Sequence, residues 1–270
     1  MKMRSFFLRL NNLPVFDPSL WPQRELLARA TGTVFCSLFI IHRLFRFHAY
    51  TGDQPPFIIK QSLPVNAADW HWIMWFLVWI IETGIFAGYI LAFLSRSDAK
   101  SVARGFMEVV FPLAVAAIPV VITITPMNFR EVWPPILLKL NSVRSAQAWE
   151  SWEPAFFLFL TVIVCGGLIN LTGLLTLRKA FTIMSEARML IDRGIFSLVR
   201  HPLYAGHFVM FFGYLLFHLY WHTVLLYIAF VSGQYVRARI EERKLMDAFP
   251  AYARYMRETG MFFPRLYKKF

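Results

Sequence analysis

The stretch WHWIMWFLVWIIETGIFAGYILAFL, Trp70 to Leu94, decides the class of fold, because it carries one carboxylate, Glu82, and no lysine or arginine over its whole length. About 20 apolar residues in a helix cross a hydrocarbon core of ~30 Å, and a helix satisfies its own backbone where no water is present. Working outward, segments of comparable character lie at 27–47, 105–125, 154–177, 203–219 and 222–236. Six spans of this kind predict an all-α, polytopic integral membrane protein. The last two, separated only by a few residues around Tyr220 and Trp221, read as a C-terminal helical hairpin, followed by a cytoplasmic amphipathic tail. Composition agrees: 57% of residues are hydrophobic and 17% aromatic, with a mean hydropathy of +0.50, well above an ordinary soluble domain.

The net charge of +12 is placed by the spans. Lys and Arg number five up to Arg29, three in the 96–104 loop, five in 178–200 and nine from Arg237 onward, 22 on one side against four on the other. Cytoplasmic loops carry this excess, so both termini and the 178–200 segment are expected in the cytoplasm, and the membrane is the inner one if the cell is bacterial. Arg43 and Arg46 lie at the far end of the first span and are expected to snorkel outward with His42. No basic stripe with interleaved aromatics stands free of the apolar runs, which excludes nucleic acid as a partner; no obligate protein partner is inferred. Cys36 and Cys165 fall inside apolar runs and argue against a disulfide framework. Residues 1–24 show no early apolar core with a cleavage site, so the N-terminus is expected to be retained.

Two regions follow: 1–153, with about three spans and an outer loop 126–153 holding Trp133, Pro134, Pro135, Trp149 and Trp152, and 154–270, where the unusual residues concentrate. In the first region Gly84 and Gly88 form a GxxxG suited to close helix packing. Glu82, in mid-span, is either a functional group or a carboxyl that meets a partner helix. His42, His48, His71, His207, His218 and His222 share no metal-ligand spacing, and no metal is expected.

In the second region LRKAFTIMSEARMLIDRGIFSLVRHPLYAG, Leu177 to Gly206, precedes the hairpin and RARIEERKLMDAFPAYARYMRETGMFFP, Arg237 to Pro264, follows it. A hairpin returns to the face it left, so the Arg200-His201-Pro202 corner and the Glu241-Glu242 pair are expected to meet. On a helix Arg237 and Glu241 share a face, and Leu245, Phe249, Tyr252 and Met256 continue an apolar stripe. Pro250 is expected to kink that helix or restart it.

These residues resemble the C-terminal signature of the isoprenylcysteine carboxyl methyltransferase and phospholipid N-methyltransferase group of integral membrane enzymes. The elements are G-x-[YF]-x-x-x-R-H-P-x-Y-x-G, Gly194 to Gly206, and R-x-x-x-E-E-x-x-L-x-x-x-F-x-x-Y-x-x-Y, Arg237 to Tyr255, closed by Pro264. The resemblance covers roughly residues 155 to 265. It implies S-adenosylmethionine as cofactor, held by Met189, Leu190, Ile191, Phe196, His201, Pro202, Leu203, Tyr204 and Glu241, with Arg237 facing the acceptor. Phe196 replaces the commoner Tyr, Pro250 the usual Gly, and Thr259-Gly260-Met261 the usual V-P-R.

The residue types suit that cofactor. Glu241 can pair an ammonium, Tyr204 can offer its face to a sulfonium, and His201 and Arg200 can donate hydrogen bonds. Methyl transfer is accelerated chiefly by orientation and desolvation. A carboxylate acceptor, clamped by Arg237, needs no base; for an amine or thiol, His201 is the candidate. The function expected is methyl transfer to a lipidic or membrane-partitioning acceptor, a carboxylate as in isoprenylcysteine methylation being preferred. Competing readings are an NADPH-dependent reductase of the sterol-reductase type, against which the Arg-x-x-x-Glu-Glu spacing argues, and a non-catalytic transporter or assembly protein, which would call for more intramembrane charge.

Overall fold

The computed structural model describes residues 18–50, 69–124, 153–217 and 221–265. The tryptophan-rich outer loop and the turn of the hairpin, 218–220, fall outside the described residues, as does the Arg46 side chain. Among those described the chain is all-helical: α1 Trp21–Tyr50, α2 Asp69–Ser95, α3 Gly105–Ile124, α4 Glu153–Leu177, α5 Pro202–Phe217, α6 Trp221–Ala248 and α7 Tyr252–Glu258. Three of the six expected spans, over 21–44, 76–95 and 158–180, are long and apolar enough to cross a membrane, while Gly105–Pro119 and Pro202–Leu216 are shorter apolar stretches.

The second helix of the hairpin, α6, departs from expectation in length. It does not end with the apolar run at 236 but continues to Ala248, so Arg237 and Glu241 stand on the same rod as Phe230. The break comes at Pro250, which has no N–H to continue the ladder. Phe249 N still bonds Leu245 O at 2.9 Å, and the chain restarts with Tyr252 N on Phe249 O, also at 2.9 Å.

α4 and α5 are the most intimate pair, and small residues explain why. A Cβ on Gly206 would lie 2.5 Å from the Asn170 backbone nitrogen, and one on Gly173 would lie 2.7 Å from Leu203 Cδ1. Gly84 and Gly88 of α2 face Leu171 and Leu174 of α4, which bears out close packing as the purpose of that GxxxG. Around this centre Phe93, Leu160, Ile163, Leu174 and Phe230 are almost wholly buried.

Arg43 corrects the snorkelling expectation. Its Nη1 lies 2.5 Å from Glu82 Oε2 on α2, and Tyr214 of α5 donates its hydroxyl to Glu82 Oε1. Burial in a helical bundle makes an unpaired charge costly, and the pair answers that cost. Of the two readings open for Glu82, the one observed is a carboxyl that meets partner helices.

The other polar residues gather at one end of the bundle. Ser97 N bonds Lys179 O at 2.8 Å, Ser101 and Ala187 exchange two backbone hydrogen bonds, and Ser185 N bonds Glu108 O at 2.9 Å. The 96–104 loop, the 178–200 segment and the tail therefore share one face, as the charge count requires.

Candidate functional site

The segment between α4 and α5 carries two single-turn 3-10 elements, Arg178–Ala180 and Gly194–Ser197. Gly194 has φ +62°, a left-handed conformation that glycine adopts without strain. Pro202 opens α5, where its missing N–H would have no helical partner. Just before it, Arg200 N bonds Gly260 O at 2.8 Å and His201 N bonds Met261 O at 3.0 Å. The corner and the tail are thus joined through backbone atoms, which explains how Thr259-Gly260-Met261 can replace other side chains there.

The Arg-His corner and the glutamate pair meet as expected, but the glutamates divide. Arg200 Nε donates to Glu242 Oε1 at 2.7 Å, and Arg200 Nη1 donates to the carbonyls of Met256, at 3.0 Å, and Thr259. Arg200 and Glu242 are both buried. Arg200 is therefore committed to holding the tail, which corrects its reading as a cofactor donor. Burial pushes the Glu242 carboxyl up, but the Arg200 hydrogen bond and charge, with the His201 ring close by, outweigh it and hold it below its ordinary value.

Glu241, about 100° further back around the helix, faces a different set. Tyr204 OH donates to Glu241 Oε1 at 2.6 Å and Arg237 Nε donates to the same oxygen at 3.0 Å. The Arg237 guanidinium lies over the Tyr204 ring, 5.2 Å from its centroid, and its Nη2 donates to Thr182 O at 3.2 Å. The His201 ring stacks on Tyr204 at 5.3 Å and 6°, with Phe262 tilted against His201 at 5.8 Å. His201 Nε2 is buried without a hydrogen-bond partner; Glu242 Oε1 stands 3.4 Å away.

The structure thus brings His201, Tyr204, Arg237 and Glu241 into one cluster. Pro202 and Leu203 are buried at the α4 contact, both facing the space beside Gly173. Phe196 is buried with its carbonyl accepting the Tyr255 hydroxyl at 2.5 Å, so its ring sits in the core, where a tyrosine hydroxyl would need a partner. Met189 is exposed and Leu190 and Ile191 partly so, on the stretch that follows the buried Arg188. Three neighbours escaped the sequence reading: Thr182, and the pair Tyr89 and His207, whose hydroxyl and Nε2 are 3.3 Å apart. His207 was within reach of it, being three residues beyond Tyr204 on one helix face.

The cluster fits a ligand bearing cationic groups. Both hydrogen bonds to Glu241 reach Oε1 and leave Oε2 to a further donor; the side chain keeps 14% of its surface exposed. His201 Nε2 lacks a partner, and Tyr204 and Phe262 supply aromatic walls. An ammonium, a hydrogen-bonding group and a sulfonium all find matching chemistry here.

Residues 155–251 match the phospholipid methyltransferase family, a region that runs from α4 through α6 and holds both halves of the cluster. The cobalt-zinc-cadmium resistance protein CzcN of Cupriavidus metallidurans is 38% identical over 78 residues, 28% of this chain and 36% of that protein. The chain therefore matches about a third of that relative's length. α1 to α3 lie outside the family match.

Proposed function

We propose that this protein is an integral membrane methyltransferase that uses S-adenosylmethionine and methylates a lipidic, membrane-partitioning acceptor, a carboxylate as in isoprenylcysteine methylation. The observation that carries this reading is the Tyr204–Glu241–Arg237 constellation, built from two segments of the family-matched region. When bound, the cofactor supplies an electrophilic methyl group on a sulfonium.

The chain's own residues do the rest. Glu241 Oε2 would accept from the cofactor's α-ammonium, while Tyr204 holds the Glu241 carboxylate in place through Oε1. His201 donates or accepts at Nε2, while its ring and Phe262 exclude water beside Tyr204. Arg237, fixed through Nε and Nη2, turns Nη1 to the acceptor carboxylate. An anionic acceptor would need no base, because its oxygen would bond the methyl carbon as the sulfonium S–C bond broke and left a neutral thioether, so orientation and water exclusion by these residues would provide the acceleration. In this reading α3, α5 and α6 also cross the bilayer, with the site and both termini at the cytoplasmic face, where the arginine and lysine excess lies.

The test is binding of methyl-labelled cofactor to the purified protein, followed by mass spectrometry of membrane extract incubated with both. Wild type binds, Glu241→Ala and His201→Ala do not, and label appears in a base-labile methyl ester of an apolar acid. A wild-type protein that binds no cofactor overturns the proposal.

A further inference from the structure

The N-terminal helices lie outside the family match, yet one of their residues reaches the cofactor segment. Glu25, at the start of α1, receives three arginines at once. Oε1 accepts from Arg29 Nε and Arg96 Nε, each at 2.8 Å, and Oε2 accepts from Arg188 Nη2 at 2.7 Å. Arg188 is completely enclosed; its Nη2 also reaches Glu186 Oε2 at 2.6 Å, its Nη1 donates to Ser97 O, and the Trp21 ring of α1 lies 6.0 Å from its guanidinium.

From Arg188 the contacts lead into the site. Glu186 Oε2 lies 3.0 Å from the Thr182 hydroxyl, and Thr182 O holds Arg237 Nη2 at 3.2 Å. Arg188 also immediately precedes Met189, Leu190 and Ile191.

We propose that Glu25 is a positioning residue of the cofactor site, acting through Arg188 to set the 182–191 segment; the proposal rests on the methyl-transfer reading. Three guanidiniums share two carboxylates, Glu25 and Glu186. Without Glu25 one carboxylate is left for three cations. Arg188, with no solvent to turn to, keeps Glu186 alone, and the equally enclosed Arg96 loses its carboxylate, which drives local rearrangement. The residues free to move are those of the 182–191 segment, because Arg29 sits on α1 and Arg96 directly follows the last residue of α2. The N-terminal half of the chain thereby becomes part of the site rather than a separate membrane anchor.

The experiment titrates labelled S-adenosylmethionine onto full-length protein in lipid nanodiscs, comparing wild type, Glu25→Gln, Arg188→Ala, the double variant, Glu25→Asp and Glu258→Gln. Glu25→Gln is expected to weaken cofactor binding roughly tenfold. Turnover at saturating cofactor stays within about twofold of wild type, which separates positioning from lost catalysis. The double variant binds no more weakly than Arg188→Ala alone, as two residues acting through one contact require. Glu25→Asp, one methylene shorter with its charge kept, gives an intermediate affinity. Glu258→Gln, which breaks the exposed pair with Arg254, changes nothing. Wild-type affinity in Glu25→Gln, or fully additive losses in the double variant, overturns the proposal. Should Glu25→Gln fail to fold, wild-type affinity in Glu25→Asp overturns it. Absence of binding by wild type removes the methyl-transfer reading and this inference with it.

Discussion

Arg200 and Glu242, 42 residues apart, are locked by a 2.7 Å hydrogen bond, and Tyr204, four residues after Arg200, is joined at 2.6 Å to Glu241, the neighbour of Glu242. The first contact fixes how the tail sits against the hairpin. The second then falls into register, because α6 is one unbroken rod from Trp221 to Ala248. Two adjacent glutamates thus meet different partners, Glu242 the Arg200 that holds the tail and Glu241 the Tyr204–Arg237 pair.

The division predicts opposite phenotypes. Glu242→Ala leaves Arg200 buried without its carboxylate and is expected to cost about 3–5 kcal/mol of stability, seen as a lower melting temperature and easier proteolysis after Ala248. Glu241→Ala keeps the wild-type melting temperature within a few degrees and loses cofactor binding. Equal melting of the two variants contradicts the division.

Tyr204→Phe removes the donor to Glu241 and keeps the ring against which His201 stacks. A hydrogen bond to a charged group is worth about 1.5–3 kcal/mol, so the cofactor dissociation constant is expected to rise at least tenfold. Isothermal titration measures this directly. An unchanged constant means that the Glu241 carboxylate needs no orienting hydroxyl.

Acid should release the tail. The Glu242 carboxyl titrates below its ordinary 4.5 in the folded protein, so the stability it contributes is fully present above that value and is lost as pH falls through the lower folded-state value. Amide exchange in residues 256–262 is therefore expected to accelerate below about pH 4.5, and the acceleration is absent in Glu242→Gln, which has no proton to take up.

The lengths of two helices were legible in the sequence because lipid demands runs of a set size: 70–94 became Asp69–Ser95 and 154–177 became Glu153–Leu177. The meeting of the two motifs was legible because a hairpin returns to its own face. Which glutamate faces which partner was not, since neighbours on a helix differ by about 100° and only the position of α5 chooses between them. The Arg43–Glu82 pair was legible in principle. Arg43 stands 14 residues from Arg29 and Glu82 stands 13 residues from Ser95, so both lie roughly 20 Å from the same face, and opposite charges at one depth on neighbouring spans point to each other. The Glu25 network was hidden, because Arg96 and Arg188 lie 71 and 163 residues away and belong to loops without periodicity.

Gly206→Ala tests the α4–α5 contact. The added methyl meets backbone atoms of Asn170 and Gly166, the former at 2.5 Å, and backbone does not yield as a flexible side chain does. Overpacking of this kind costs about 1–3 kcal/mol. Because α5 carries Tyr204 two residues earlier, cofactor affinity is expected to fall together with melting temperature. Gly84→Ala, whose methyl would find only Leu171 Cδ2 at 3.5 Å, leaves both unchanged.

Arg43 and Glu82 separate a structural charge from a functional one. If the pair serves only to join α1, α2 and α5, what matters is that neither charge is left alone in an apolar surrounding. Glu82→Leu strands the Arg43 guanidinium, whose remaining hydrogen bond is to Trp79 O at 3.4 Å, and is expected to destabilise the protein by about 3–5 kcal/mol. Arg43→Leu strands the carboxylate, which can respond by binding a proton, so its cost is smaller. The double variant, Arg43→Leu with Glu82→Leu, leaves only the Tyr214 hydroxyl to re-pair, and its melting temperature is expected to recover most of the loss of Glu82→Leu. Turnover per folded molecule stays at the wild-type level in all three. A double variant that melts as high as wild type but has lost turnover shows instead that the pair takes part in the reaction.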